Sequence, residues 1–265
     1  LSSRHPAPWT SLEIRPMIKH YRIHEVSEYI DWIYFFHAWG FSPRKTQTPE
    51  AMQLLQEAKE MLELLDKNFQ THAVLRLMDA NSEENDIWIE GNRFPFLRQQ
   101  IAKEEEPYLC LSDFIRPSSS KIKDKIGLFA TTVDAEMEQL HTEDPYLHML
   151  VKMLADRLAE ATAEKTHDAI RKEFQGIRPA VGYPSLPDQS VNFLLDELLD
   201  MKRIGIHLTE NGMMQPHASV SGLIFTHPAS RYFSVGKIDE QQLKDYAIRR
   251  GLPVGQMRKF LARNL

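Results

Sequence analysis

Cysteine is nearly missing from this 265-residue chain: Cys110 is its single thiol. One thiol cannot build a disulfide framework or a multi-thiolate metal site within one chain. Cys110 stands in the apolar run 108–111, where it reads as a small buried hydrophobe. A basic excess is also missing, since 32 lysines and arginines face 37 acids for a net charge of −5. That is the wrong sign for a phosphate-backbone binder, so no nucleic acid partner is expected. Nor does any stretch approach the roughly 18 uninterrupted apolar residues of a membrane span. The most hydrophobic segment, residues 29–41, is broken by Asp31 and His37. No membrane partner is expected, and the cysteine usage fits a soluble, reducing, cytoplasmic setting. Leu1 stands where an initiator methionine would, with no charged-then-apolar leader after it, which fits an excised or processed chain.

The commonest cofactor loops are missing as well. No G-x-G-x-x-G follows a strand-like run, and no G-x-x-x-x-G-K-[ST] occurs. Ser219-Val220-Ser221-Gly222 does not complete a G-x-S-x-G nucleophile elbow and is expected to be a strand.

What is present describes an ordinary globule, with 42% apolar and 26% charged residues and enough length to bury a core without staples. Residues 1–20, with Pro6, Pro8 and Pro16, read as an N-terminal arm or linker ahead of one domain over residues 21–265. Thr48 before Pro49, followed by Leu54, Ala58, Leu62 and Leu65, predicts an amphipathic helix. Residues 73–78 and 87–90 predict a hairpin around the polar stretch 81–86. Further strands are expected at 108–114, 126–133, 204–208, 218–226 and 231–238. The longest helix should run from Pro145 to about Phe174, with others at 190–203, 240–249 and 255–262. Strands clustered with turns and separated by long helices predict an α+β fold, an antiparallel sheet with helices to one side.

Four features bear on chemistry. Asp156, Glu160, Glu164 and His167 recur at helical spacing and share one face. Glu164-x-x-His167 matches half of a di-iron motif, but no second Glu-x-x-His helix is present and no metal site is expected. The face is then either solvated or set opposite a cationic ligand. His207, His217 and His227 fit no metal-ligand spacing and read as ordinary histidines. Residues 176–187 hold three prolines and two glycines, so their backbone groups cannot be consumed by a regular ladder. Arg178 within that loop offers a fork that matches a ligand carboxylate. Asp31 sits between Ile30 and Trp32 in an aromatic run, where an acid is expected to be paired, by a lysine or by a ligand ammonium.

These residues together resemble a known family, the S-adenosylmethionine-binding activation domain of cobalamin-dependent methionine synthase. The resemblance is carried by Tyr29-Ile30-Asp31-Trp32 with Phe35-Phe36, by Asp156-Arg157-Leu158-Ala159-Glu160, and by Gln175-Gly176-Ile177-Arg178-Pro179-Ala180 with Gly182-Tyr183-Pro184. Leu208-Thr209-Glu210, Ala218-Ser219-Val220-Ser221-Gly222 and His227-Pro228 followed by Tyr232 continue it over roughly residues 21–265.

The resemblance implies a bent antiparallel β-sheet with peripheral helices and a shallow groove for S-adenosylmethionine. It implies that Arg178 holds the ligand carboxylate, that Asp31 holds its ammonium and that Glu160 lies near its sulfonium. Tyr183, Tyr232 and Phe233 are implied along the groove, Phe233 standing where a second tyrosine is common. In such proteins cobalamin, presented by a partner module, is repaired with a methyl group from S-adenosylmethionine and one electron from a flavodoxin-like donor. The implied activity belongs to a methyltransferase system, with no catalytic acid, base or nucleophile supplied by this chain. A non-catalytic capping adaptor of a corrinoid protein, or an activation module of another corrinoid methyltransferase, are the alternative readings. The adaptor reading draws on departures from the family pattern: Leu186 and Gln189 replace a cysteine and a histidine, and a stretch of the long form is missing after Lys172.

Overall fold

The computed structural model describes residues 16–101, 106–171 and 175–265. Strand β1 (Met17–Arg22) leads into helices α1 (Ile23–Ser27), α2 (Trp32–Ala38) and α3 (Pro49–Leu65). Strands β2 (Gln70–Glu83), β3 (Asp86–Ile89), β4 (Asn92–Pro95) and β5 (Asp124–Val133) follow, then the long helix α4 (Pro145–Asp168). The chain continues through α5 (Val191–Leu199), β6 (His207–Leu208), β7 (Met214–Gln215), β8 (Ser219–Phe225), α6 (Glu240–Arg250) and α7 (Val254–Phe260).

The main sheet is antiparallel throughout, in the order β4-β3-β2-β5-β8, with β1 also paired to β2. The fourteen-residue β2 pairs β5 along one edge, while β1 and β3 share the other edge in succession. Side chains alternate between faces, and both faces are buried. Val74, Met78, Ile126, Leu128 and Leu223 pack with Leu195 and Leu199 of α5. Leu75, Leu77, Phe129, Val220 and Ile224 pack with Ala159 and Ala163 of α4. The small side chains of Ala155, Ala159 and Ala163 let α4 lie close, and Thr131 Oγ1 donates to the Ala159 carbonyl at 2.9 Å. Among the described residues no helix is long and apolar enough to cross a membrane.

The α+β class and antiparallel sheet agree with the sequence reading, but helices cover both faces rather than one. The Thr48 cap forms as expected, its hydroxyl accepting from the Ala51 N–H. The hairpin also forms, with a tighter turn, because Asn81 and Ser82 continue β2. Asn81 Nδ2 donates to the Arg116 and Ile122 carbonyls and Ser82 Oγ to the Ile115 carbonyl, so these polar residues are satisfied inside the sheet.

The strand expected at 108–114 is instead an isolated bridge at Cys110 followed by a 3₁₀ turn, Leu111–Phe114. Asp113 accepts from the Cys110 N–H and pairs with Arg98, folding the segment onto itself. Residues 231–238 form no strand. The helix expected at 190–203 stops at Leu199 because Asp200 adopts φ 52°, a left-handed conformation that breaks it before a 3₁₀ turn. The strand expected at 204–208 shrinks to His207–Leu208. Of the expected arm, residues 1–15 lie outside the described residues, while Met17–His20 are part of β1. The long helix ends at Asp168, short of the expected Phe174: Ile170 N donates to the His167 carbonyl and Arg171 N to that of Asp168, tightening the chain into a turn, while Lys172 and Phe174 lie outside the described residues.

Candidate functional site

The Pro/Gly segment lies beside β8 as an irregular outer strand. Val181 N donates to the Ser221 carbonyl at 2.9 Å, Leu223 N to Pro179 at 3.1 Å and Phe225 N to Ile177 at 2.9 Å. Much of the backbone that sequence reasoning left free is therefore bonded to β8. The bridge between Ala180 and Gly222 turns the Ala180 N–H and C=O away from β8, by the alternation of antiparallel pairs. Gly222 makes this approach possible: a Cβ there would lie 2.2 Å from the Pro179 carbonyl oxygen and 2.9 Å from the Phe129 ring.

Phe129 faces Gly222 in register on β5, and its ring carries the Arg178 guanidinium 5.2 Å above its centroid. Arg178 is thus held over an aromatic face at the floor of a cavity of about 750 Å³. Its side chain is only 12% exposed. Nη2 reaches Glu164 Oε2 at 3.1 Å, its backbone N–H donates to the Tyr232 hydroxyl at 3.0 Å, and its buried Nε has no hydrogen-bond partner.

One wall of the cavity is the acidic face of α4. Glu160 accepts a short hydrogen bond from Tyr183, and Glu164 accepts from Arg178 and Arg171. Burial, reinforced by the Glu160 charge and this bond, pushes the Tyr183 phenol well above its ordinary value. Burial pushes Glu164 up, but the Arg178 charge and the bonds from Arg178 and Arg171 outweigh it and hold the carboxyl below its ordinary value. Asp156, one turn earlier, lies 3.7 Å from His217, and burial raises its carboxyl despite that neighbour. This stripe is not a fully solvated face, since Glu160 and Glu164 line the cavity, and among the described residues no group of three or more His, Cys, Asp or Glu gathers as a metal site would require.

Asp31 closes another wall as the N-cap of α2, where its Oδ1 accepts from the Ile33 N–H at 2.9 Å. Asp31 is exposed, and of the pairings expected for it a lysine is not the one found, its bond being to backbone. Helix-start geometry, which needs an acceptor at this position, accounts for an acid inside an aromatic run.

All six residues singled out from the sequence, Asp31, Glu160, Arg178, Tyr183, Tyr232 and Phe233, line this one cavity. Ser185 fixes Phe233, accepting its backbone N–H at 3.1 Å and donating to its carbonyl. Tyr34 and Arg157, which sequence reasoning did not assign to a site, also line it, Arg157 lying 6.0 Å from the Tyr34 ring centroid; so does Glu164, a member of the acidic stripe that was read as solvated or facing a cationic ligand. Leu186 is 2% exposed and packs in the core. Gln189, by contrast, is exposed.

Two guanidiniums, three carboxylates and several phenols around a concave, partly apolar space define a binding module for a small molecule of mixed charge. Residues 22–251 match the family model described as vitamin B12 dependent methionine synthase, activation domain, and the chain belongs to that family. It is also similar to a solved crystal structure of a MetH reactivation domain bound to AdoHcy. That likeness has 35% identity and a TM-score of 0.87, covering 98% of this chain and 95% of the other.

Proposed function

We propose that the chain binds S-adenosylmethionine in this cavity and presents its methyl group to cobalamin carried by a partner module of methionine synthase, reactivating that cofactor. The observation that carries this reading is the convergence of Arg178 and Asp31 on one cavity, where Glu164 is the acid that pairs with the Arg178 guanidinium. A guanidinium carries five N–H donors, and one carboxylate leaves room for a further acceptor. A ligand carboxylate supplies one, and the carboxylate of Asp31 suits its ammonium. S-adenosylmethionine, when bound, supplies an electrophilic methyl group on sulfur.

The chain's own contribution is positioning. Arg178 and Asp31 clamp the two ends of the amino-acid group, Glu160 sets a negative charge beside the sulfonium, and Tyr183, Tyr232 and Phe233 flank the adenosyl part. AdoHcy, the ligand of the similar MetH domain, is the demethylated counterpart of this methyl donor. Ile33 is 61%, Tyr34 64% and Tyr232 63% exposed at or beside the cavity mouth. Exposed apolar and aromatic side chains beside a ligand site fit docking of the cobalamin-bearing module. A flavodoxin-like protein is the proposed electron donor.

The test is spectroscopic: the chain, S-adenosylmethionine, reduced flavodoxin and the cob(II)alamin-loaded partner are mixed and methylcobalamin is followed. Its formation, dependent on Arg178, is the expected result. A tight complex that forms none would support the adaptor reading instead.

A further inference from the structure

Arg178 is constrained in two ways that sequence reasoning did not separate. The Phe129 ring, 5.2 Å below Cζ, sets the plane of the guanidinium. Glu164 sets its rotation within that plane, through a single contact from Nη2 to Oε2 at 3.1 Å. The carboxylate of Glu164 is itself oriented from behind. Its Oε1 accepts from Arg171 Nη2, and Arg171 Nε lies 3.6 Å from Asp168 Oδ1. A guanidinium carries five N–H donors and accommodates more than one carboxylate. Glu164 takes a hydrogen of Nη2, and among the described residues no other acid pairs with this guanidinium.

We propose that Glu164 is a positioning residue that turns the Arg178 guanidinium so that the donors it does not itself engage face the incoming ligand carboxylate. Glu164 and the ligand then share one guanidinium rather than compete for it. This inference rests on the proposed ligand and adds a residue to the site. Its electrostatic sign makes it testable. Glu164 adds negative charge near the ligand carboxylate, so a purely electrostatic role would make its removal favour anions and disfavour cations. A positioning role makes its removal disfavour the carboxylate-bearing ligand in particular.

The experiment is calorimetric titration of the full chain and its Glu164→Leu, Glu164→Gln and Arg178→Ala variants with two probes. One probe is S-adenosylmethionine. The other is decarboxylated S-adenosylmethionine, which keeps the sulfonium and ammonium but lacks the carboxylate. The melting temperature of each unliganded variant is recorded alongside. We expect Glu164→Leu to bind S-adenosylmethionine about tenfold more weakly, the effect of roughly one hydrogen bond to a charged group, and the decarboxylated probe within about twofold of the unmodified chain. Glu164→Gln, which keeps an acceptor for Nη2, is expected within about threefold for both probes. It carries the comparison if the leucine variant fails to fold, and a Gln variant that loses more of the decarboxylated probe than of S-adenosylmethionine would then overturn the proposal.

S-adenosylmethionine bound as tightly or more tightly by Glu164→Leu would overturn the positioning role and make Glu164 a competitor. So would a larger loss for the decarboxylated dication, the mark of a bare negative charge. Binding unchanged in Arg178→Ala, or absent in the unmodified chain, would overturn the ligand reading itself and this inference with it.

Discussion

Tyr183 donates its phenol proton to Glu160 across the cavity wall, tying the Pro/Gly segment to α4. The bond joins a residue of an irregular loop to a residue on a rigid helix, and it fixes the rotamer of an acid that the proposed function sets beside a sulfonium. Replacement Tyr183→Phe is expected to weaken S-adenosylmethionine binding about fivefold, the effect of roughly 1 kcal/mol of hydrogen bonding. AdoHcy, which lacks the sulfonium charge, should lose less. Calorimetry with both ligands checks this, and equal losses would detach Glu160 from the sulfonium.

Asp31 combines two duties that substitution can separate. An asparagine in its place would still cap α2, since asparagine is as good an N-cap as aspartate. Asp31→Asn is therefore expected to leave the melting temperature unchanged. Because Asp31 is exposed, its pairing with a ligand ammonium is screened, and the expected loss of S-adenosylmethionine affinity is about twofold to fivefold. Unchanged affinity would reduce Asp31 to its capping role.

Gly222 is where the Pro/Gly segment meets the sheet. A methyl group at 2.2 Å from the Pro179 carbonyl oxygen forces the two strands apart. Gly222→Ala is expected to destabilise the fold by about 1–3 kcal/mol, as overpacking does. It should also weaken ligand binding, because Pro179 and Ala180 line the cavity. Urea unfolding and calorimetry measure the two effects, and an unperturbed variant would contradict the described packing.

Acid titration tests the Glu164 environment. Its carboxyl is held below its ordinary value of 4.5 in the folded chain, so the unfolded chain binds the proton more readily. Stability from this group is present above pH 4.5 and is lost as the pH falls through the lower folded value. The melting temperature of the unmodified chain should therefore fall more steeply below pH 4.5 than that of Glu164→Gln. Equal slopes would mean that the charge of Glu164 adds nothing to the fold.

Much of this architecture was legible in the sequence where local patterning and tertiary packing agree. The Thr48-Pro49 helix start, the apolar stripe of α4 and the runs that became β5 and β8 are cases of that agreement. Failures came where a single long-range or backbone contact decides. Asp113 binding Cys110 and Arg98 converts a β-prone run into a turn, and the left-handed Asp200 ends a helix whose side chains would continue it. Arg178 stood out because prolines and glycines flank it, but its Phe129 platform comes from a distant strand and leaves no local trace. Tyr34 and Arg157 escaped for the same reason: their convergence depends on how α2 packs against α4.

The central claim is that one cavity clamps a methyl-donating zwitterion through Arg178. Calorimetric titration of S-adenosylmethionine into the unmodified chain and into Arg178→Ala tests it most directly. One molecule bound per chain, with affinity falling by at least about tenfold in the variant, is the predicted result. No binding to the unmodified chain, or equal affinity in both, would contradict it.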